Sequence, residues 1–123
     1  METTLFDGKG QPVAYIAEDR DNTIYLWQGQ AVAYYDAEII FGWNGKHLGW
    51  FTGGVLYNLH GHRVGSLAEQ CPRPRLQEPG KYEKRAKHAK APRYTEISRP
   101  VLSSSYGIQT LEEFLKSGAP GAG

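Results

Sequence analysis

Three histidines offer the first possibility of chemistry. His60 and His62 flank Gly61, and His47 stands two residues after Gly45. A His-x-His pair can hold Zn²⁺ or Ni²⁺ weakly, but a structural or catalytic site takes three or four ligands. The sequence places no Cys, Asp or Glu to complete the set. A metal-dependent enzyme built on His47, His60 and His62 is therefore the alternative reading, and solvated histidines at turn tips are the economical one. Asp19-x-Asp21 has the start of a calcium loop, but Ile24 stands where its sixth-position glycine is required and Gln30 where its glutamate is. The single cysteine, Cys71, precedes a proline and has no neighbour that would lower its pKa. No phosphate loop, nucleophile elbow or dinucleotide fingerprint occurs. No catalytic residue, metal site or cofactor is expected.

A second possibility is binding through charge. The net charge of +1 conceals a split. Residues 1–70 carry four basic against eight acidic residues, a net of −4, whereas residues 71–100 carry nine against three, a net of +6. In that basic stretch Lys84, Arg85, Lys87 and Lys90, with Tyr82 and Tyr94 interleaved, have the composition that contacts phosphates and stacks on bases. A lone charge run is more often solvated or paired with the chain's own acidic face.

The elements that position these residues are repeats. With Gly10, Gly29, Gly45 and Gly61 aligned as position zero, Phe6, Tyr25, Phe41 and Tyr57 stand four before, and Leu5, Ile24, Ile40 and Leu56 five before. Val13, Val32, Leu48 and Val64 follow at +3, Ala14, Ala33, Gly49 and Gly65 at +4, and Ile16, Tyr35, Phe51 and Leu67 at +6. Asn44-Gly45 is the preferred pair for a two-residue type I′ hairpin turn, and Lys9-Gly10, Gln28-Gly29 and His60-Gly61 occupy the same place. That turn predicts −4 opposite +3 as one packed layer and −5 opposite +4 as the other. Gly53-Gly54 predicts a further reversal, hence an eight-strand meander whose closure would remove exposed edges. The fold expected is mainly β, with four antiparallel β-hairpin repeats in an approximately four-fold array over residues 1–70.

Five prolines from Pro72 to Pro100 then oppose helix and central strand, predicting a basic strap over 71–109 that is extended or forms a short helix. Thr110 with Glu113 is a capping box for a short amphipathic helix over 110–118, with Leu111, Phe114 and Leu115 on one face. Under two turns, it must dock, on its own domain by preference. Residues 119–123 read as a tail.

The pattern of aromatic, turn glycine, Val-Ala or Leu-Gly, then aromatic resembles the bacterial four-fold beta flower family. Its third hairpin is similar to Phe41-Gly42-Trp43-Asn44-Gly45-Lys46-His47-Leu48-Gly49-Trp50-Phe51, and its ending to Thr110–Leu115. Gly8 and Ser66 depart from the pattern, where Trp or Leu and an aromatic are usual; both lie at the ends of the array. The resemblance implies a fold and no activity. Trp27, Trp43 and Trp50 also resemble the aromatics of choline-binding repeats, but those belong to exported proteins, and Met1-Glu2-Thr3-Thr4 begins no secretion signal. No apolar run approaches the roughly 20 residues of a bilayer helix. The expectation is a cytoplasmic, non-enzymatic interaction module with a protein partner and no membrane contact, monomeric or homodimeric, with nucleic acid as a further partner class.

Overall fold

The computed structural model describes residues 2–120. Met1, and residues 121–123 of the expected tail, lie outside the described residues. Eight strands run in sequence order: β1 (Thr3–Phe6), β2 (Pro12–Ile16), β3 (Thr23–Leu26), β4 (Ala31–Asp36), β5 (Ile39–Gly42), β6 (His47–Thr52), β7 (Val55–Asn58) and β8 (Arg63–Ser66). Each pairs antiparallel with the next, and β1 pairs with β8 to close a barrel. The meander and its closure are as the repeat predicts. The closing seam is thin: Phe6 opposite Ser66 is its one ladder pair.

The turns differ from the prediction. Gly45 donates its N–H to the Gly42 carbonyl (2.9 Å) and Gly42 its own to Lys46 (2.8 Å), leaving three residues in the loop. Gly45 has φ +90°, while Asn44 is not among the residues of positive φ. This is a type I turn closed by one left-handed residue, and the other three tips repeat it. Three tips offer Lys9, Gln28 or His60 just before the glycine, side chains ill suited to the two positive φ values of type I′. The type I′ form belongs to Gly53-Gly54, with φ +61° and +79° between Thr52 and Val55.

The longer loop shifts the pairing beside each turn by one residue, and a β-bulge then restores the predicted register. Leu5, Ile24, Ile40 and Leu56 oppose Ala14, Ala33, Gly49 and Gly65, as predicted from −5 and +4. The −4 aromatics instead oppose +2, namely Pro12, Ala31, His47 and Arg63. The +3 residue is the extra one of a β-bulge, which turns its side chain to the other face. Val32, Leu48 and Val64 therefore join Leu5, Ile24, Ile40 and Leu56 inside the barrel, not the aromatic layer. The aromatics form a separate outer layer of Tyr15, Tyr25, Trp27, Tyr34, Phe41 and Trp43.

An eight-stranded barrel is just wide enough for side chains to fill it. Here the filling is completed by α1 (Leu111–Lys116), whose Leu111, Phe114 and Leu115 are at most 2% exposed within the interior cluster. The capping box is present, with the Glu113 N–H donating to Thr110 Oγ1 and the Thr110 N–H to Glu113 Oε1. The Asn44 side chain donates to the Ser117 carbonyl (2.9 Å) and its backbone N–H to Gly118, tying the helix end to the third tip. A Cβ on Gly118 would lie 2.6 Å from Gly42 Cα, so two glycines meet where the helix enters. The helix is part of the core, and cutting the chain after residue 70 would empty it.

Candidate functional site

The strap forms neither helix nor strand. It runs extended past the four tips in order. Leu76, Arg85, Tyr94 and Ser103 donate their N–H groups to the carbonyls of Gly10, Gly29, Gly45 and Gly61 at 2.8–2.9 Å. These donors are nine residues apart. So are Pro74, Glu83, Pro92 and Val101, whose carbonyl oxygens would lie 2.1–2.5 Å from a Cβ built on the same glycines. The strap is thus a second repeat in phase with the first. Its signal was present in the cation column Lys81, Lys90, Arg99 and the column Arg75, Lys84, Arg93.

All of these cations but Arg75, together with Lys87, lie along the acidic and aromatic outer wall of the barrel. Lys81 is 4.6 Å from the Tyr15 ring centre, Lys84 sits between Tyr15 and Tyr25, and Lys87 between Tyr25 and Trp43. Lys90 is 4.4 Å from Tyr34, and Arg93 is 4.3 Å from Phe41. The ion pairs follow the same order: Lys81 and Lys84 to Glu2, Lys87 to Asp19, Lys90 to Asp21, Arg93 to Asp36, Arg99 to Glu38. Hydrogen bonds from Lys81 and Lys84 hold the Glu2 carboxyl below its ordinary range, and Glu2 holds Lys84 above its own. Burial would raise the Asp19 pKa, but the Thr23 N–H, the Lys87 ammonium and the Thr23 hydroxyl outweigh it, and the value falls to about 2. The Asp19-Asp21 pair is therefore an anchor for strap lysines. Each contact is worth about 1 kcal/mol or less; their number fixes the strap. Of the four cations that the sequence offers to phosphate, Lys84, Lys87 and Lys90 are engaged internally. The side chain of Arg85 makes no such contact among the described residues.

The histidines are not brought together. His47 is buried between Phe41 and Trp50 rather than solvated at a tip. Its Nδ1 accepts the Ile97 N–H (2.9 Å), so Nε2 carries the proton and donates to the Gly49 carbonyl (3.1 Å). Burial pushes its pKa down, and both nitrogens are occupied. His60 and His62 do lie at the fourth tip, ring centres 6.5 Å apart. Among the described residues no three His, Cys, Asp or Glu side chains converge as metal ligands. Cys71 Sγ rests 3.8 Å from the Asp7 carbonyl.

Tyr106 explains both departures from the repeat. A Cβ on Gly8 would lie 2.8 Å from the Tyr106 ring, so the ring occupies the place taken by Trp27 and Trp43 at the second and third tips. Ser66, fully buried, neighbours its hydroxyl, and burial pushes the phenol pKa up. The strap supplies at the β8–β1 junction the aromatic that the repeat omits.

Two clefts open at the tips beside α1. One, of about 890 Å³, lies between the fourth tip and residues 105–109, with His60, His62 and Glu113 on its walls. The other, of about 590 Å³, lies between the first two tips, the strap and the outer face of α1, and it receives Arg85. Sequence reasoning had no signal for the second, whose walls come from four separate segments. No helix of the described residues is long and apolar enough to cross a membrane.

Comparison with known proteins gives no match among curated proteins or solved structures. A family model does match, described as 4-fold beta flower protein, over residues 3–115, which takes in all eight strands, the whole strap and most of the helix. The chain belongs to the 4-fold beta flower protein family.

Proposed function

We propose that this protein is a non-enzymatic interaction module whose contact surface is the strap. One observation carries the reading. Leu76, Tyr82, Tyr94, Ile97, Val101 and Ile108 are the exposed large hydrophobic side chains among the described residues, and all six lie on the strap. Val101 and Ile108 are 92% and 100% exposed. Lys81, Lys84, Lys87, Lys90, Arg93 and Arg99 turn to the barrel's carboxylates, so the strap's outward face is rich in apolar and aromatic side chains, the composition of binding surfaces rather than of a phosphate track. Its fixed backbone lowers the ordering cost of binding. The test compares the full chain with a variant carrying Tyr82→Ser, Tyr94→Ser, Val101→Ser and Ile108→Ser. Both are used as untagged bait in the native host, with cross-links mapped by mass spectrometry. The wild type should retain a protein partner cross-linked to strap residues, and the variant should lose it. A variant that keeps every partner refutes the reading. Nucleic acid in the captured material, eluting steeply with salt, would instead favour the phosphate-binding alternative.

A further inference from the structure

We infer that the cleft between the first two hairpin tips binds a polyhydroxylated anion of sugar size, either a sugar acid or a sugar phosphate. The inference is independent of the strap's outer face. The cleft holds about 590 Å³, within the range of small-molecule sites. Its floor is apolar, from Pro12, Val13 and Leu26, and its polar groups converge from separate segments. Gln11 comes from the first tip, Gln28 and Gln30 from the second, Gln77 and Arg85 from the strap.

Two features of this group favour a ligand. First, Arg85 is the cation of the inward-facing run Lys84 to Lys90 that the acidic, aromatic wall leaves unpaired. Lys84, Lys87 and Lys90 all have carboxylate and ring partners. The backbone of Arg85 is held at the mouth of the cleft, because its N–H donates to the Gly29 carbonyl at 2.9 Å. Across the cleft Lys116 is taken by Glu112 at 2.7 Å, so those two charges cancel and the guanidinium sets the sign of the site. Second, the four glutamine amides, three exposed and Gln30 half-buried, line one opening without a hydrogen-bond partner among the described residues, so each is free to meet a ligand. An amide presents a donor and an acceptor side by side, which matches vicinal hydroxyls, and the guanidinium fork matches a carboxylate or phosphate. Four amides and one guanidinium around an apolar floor suit hydroxyls with a single anionic group, and suit neither a bare ion nor a hydrocarbon.

The experiment uses the full chain, with D-glucuronate and glucose 6-phosphate as probes and glucose, acetate and inorganic phosphate as controls. Binding is read by saturation-transfer NMR and by the indole N–H signal of Trp27, which lines the cleft. One or both probes should bind with a Kd of about 10 mM or tighter. Arg85→Gln should weaken that binding about tenfold or more, as loss of a charged hydrogen-bond pair does. This variant keeps the backbone N–H that anchors the strap, and an unchanged melting temperature shows that the fold is intact. Gln28→Ala with Gln30→Ala should weaken the probes and leave the melting temperature in place. Preference for glucuronate names the carboxylate as the anionic group, and preference for glucose 6-phosphate names the phosphate. The inference is overturned if neither probe binds, if Arg85→Gln binds as well as wild type, or if acetate or inorganic phosphate binds as tightly as the sugars.

Discussion

Replacing Phe114 by alanine asks whether the helix is a plug or an appendage. Phe114 is 2% exposed and packs, with Leu111 and Leu115, among the interior residues of the barrel. Its truncation removes a full aromatic side chain from a closed space that strands on every side prevent from collapsing. Phe→Ala changes of this kind cost about 3–5 kcal/mol. A domain of this size is stable by about 5–15 kcal/mol, so the loss is about a fifth or more of the total. Each kcal/mol corresponds to roughly 3–5 °C here, which predicts a fall in Tm of about 10–25 °C. Glu112→Ala, on the exposed side of the same helix, should change stability by about 0.5 kcal/mol or less. The assay is thermal unfolding by circular dichroism, with urea unfolding to show a lower midpoint at unchanged slope. If Phe114→Ala melts within about 3 °C of wild type, the helix does not fill the barrel and the account of the core is wrong.

The other predictions concern the hairpins, the seam and pH. Gly49→Val should unfold the protein, because a Cβ there would lie 1.9 Å from the Tyr57 carbonyl oxygen, while His60→Ala should be nearly silent; equal Tm losses would refute the register. Gly8→Trp should destabilise by about 1–3 kcal/mol through collision with Tyr106, and adding Tyr106→Gly should recover part of the loss. Additive losses in that double-mutant cycle would show that the two residues do not share a place. Asp19 has its pKa depressed from 3.8 to about 2, so its contribution is full above pH 3.8 and disappears as pH falls toward 2. At its partly exposed position this amounts to about 1 kcal/mol after solvent screening, and Asp19→Asn should remove that step from an acid titration of stability.

The repeat carried much of this architecture, and its limits were local. The pairing of −5 with +4 was predicted from a two-residue turn, and it holds because the bulge at +3 takes up the extra loop residue. The turn was misread because Asn44-Gly45 is a strong type I′ signal by itself. The better signal lay three residues before the glycine, where Asp7 and Asn58 accept N–H bonds within their own turns, as the first position of a type I turn prefers. Asn44, whose Oδ1 accepts the Lys46 N–H within the turn, also holds the end of α1. One extra loop residue moved four side chains from one face to the other, since a strand's period is two. His47 was legible as a histidine beside a tip but not as a buried one, because its partner Ile97 comes from the strap fifty residues away. The cleft around Arg85 was illegible for the same reason.

The two segments outside the repeat each meet a need that four identical hairpins cannot meet themselves. A ring of hairpins has an axis, and no residue of a four-fold unit can fill it with one asymmetric plug; α1 does. A ring made from one chain also has a seam, here a single ladder pair, where chain ends prevent the symmetric contact. Tyr106 enters there, and Gly8 and Ser66 are small because they must admit it. Breaks in the repeat at the ends of the array are thus the complement of Tyr106, a residue of the strap, not relaxed symmetry. The strap joins these two repairs and on the way pairs Lys81, Lys84, Lys87, Lys90, Arg93 and Arg99 with carboxylates of the barrel wall. Within the run Lys84 to Lys90, Arg85 is the exception to that pairing, and it is the cation of that run that opens onto a cleft.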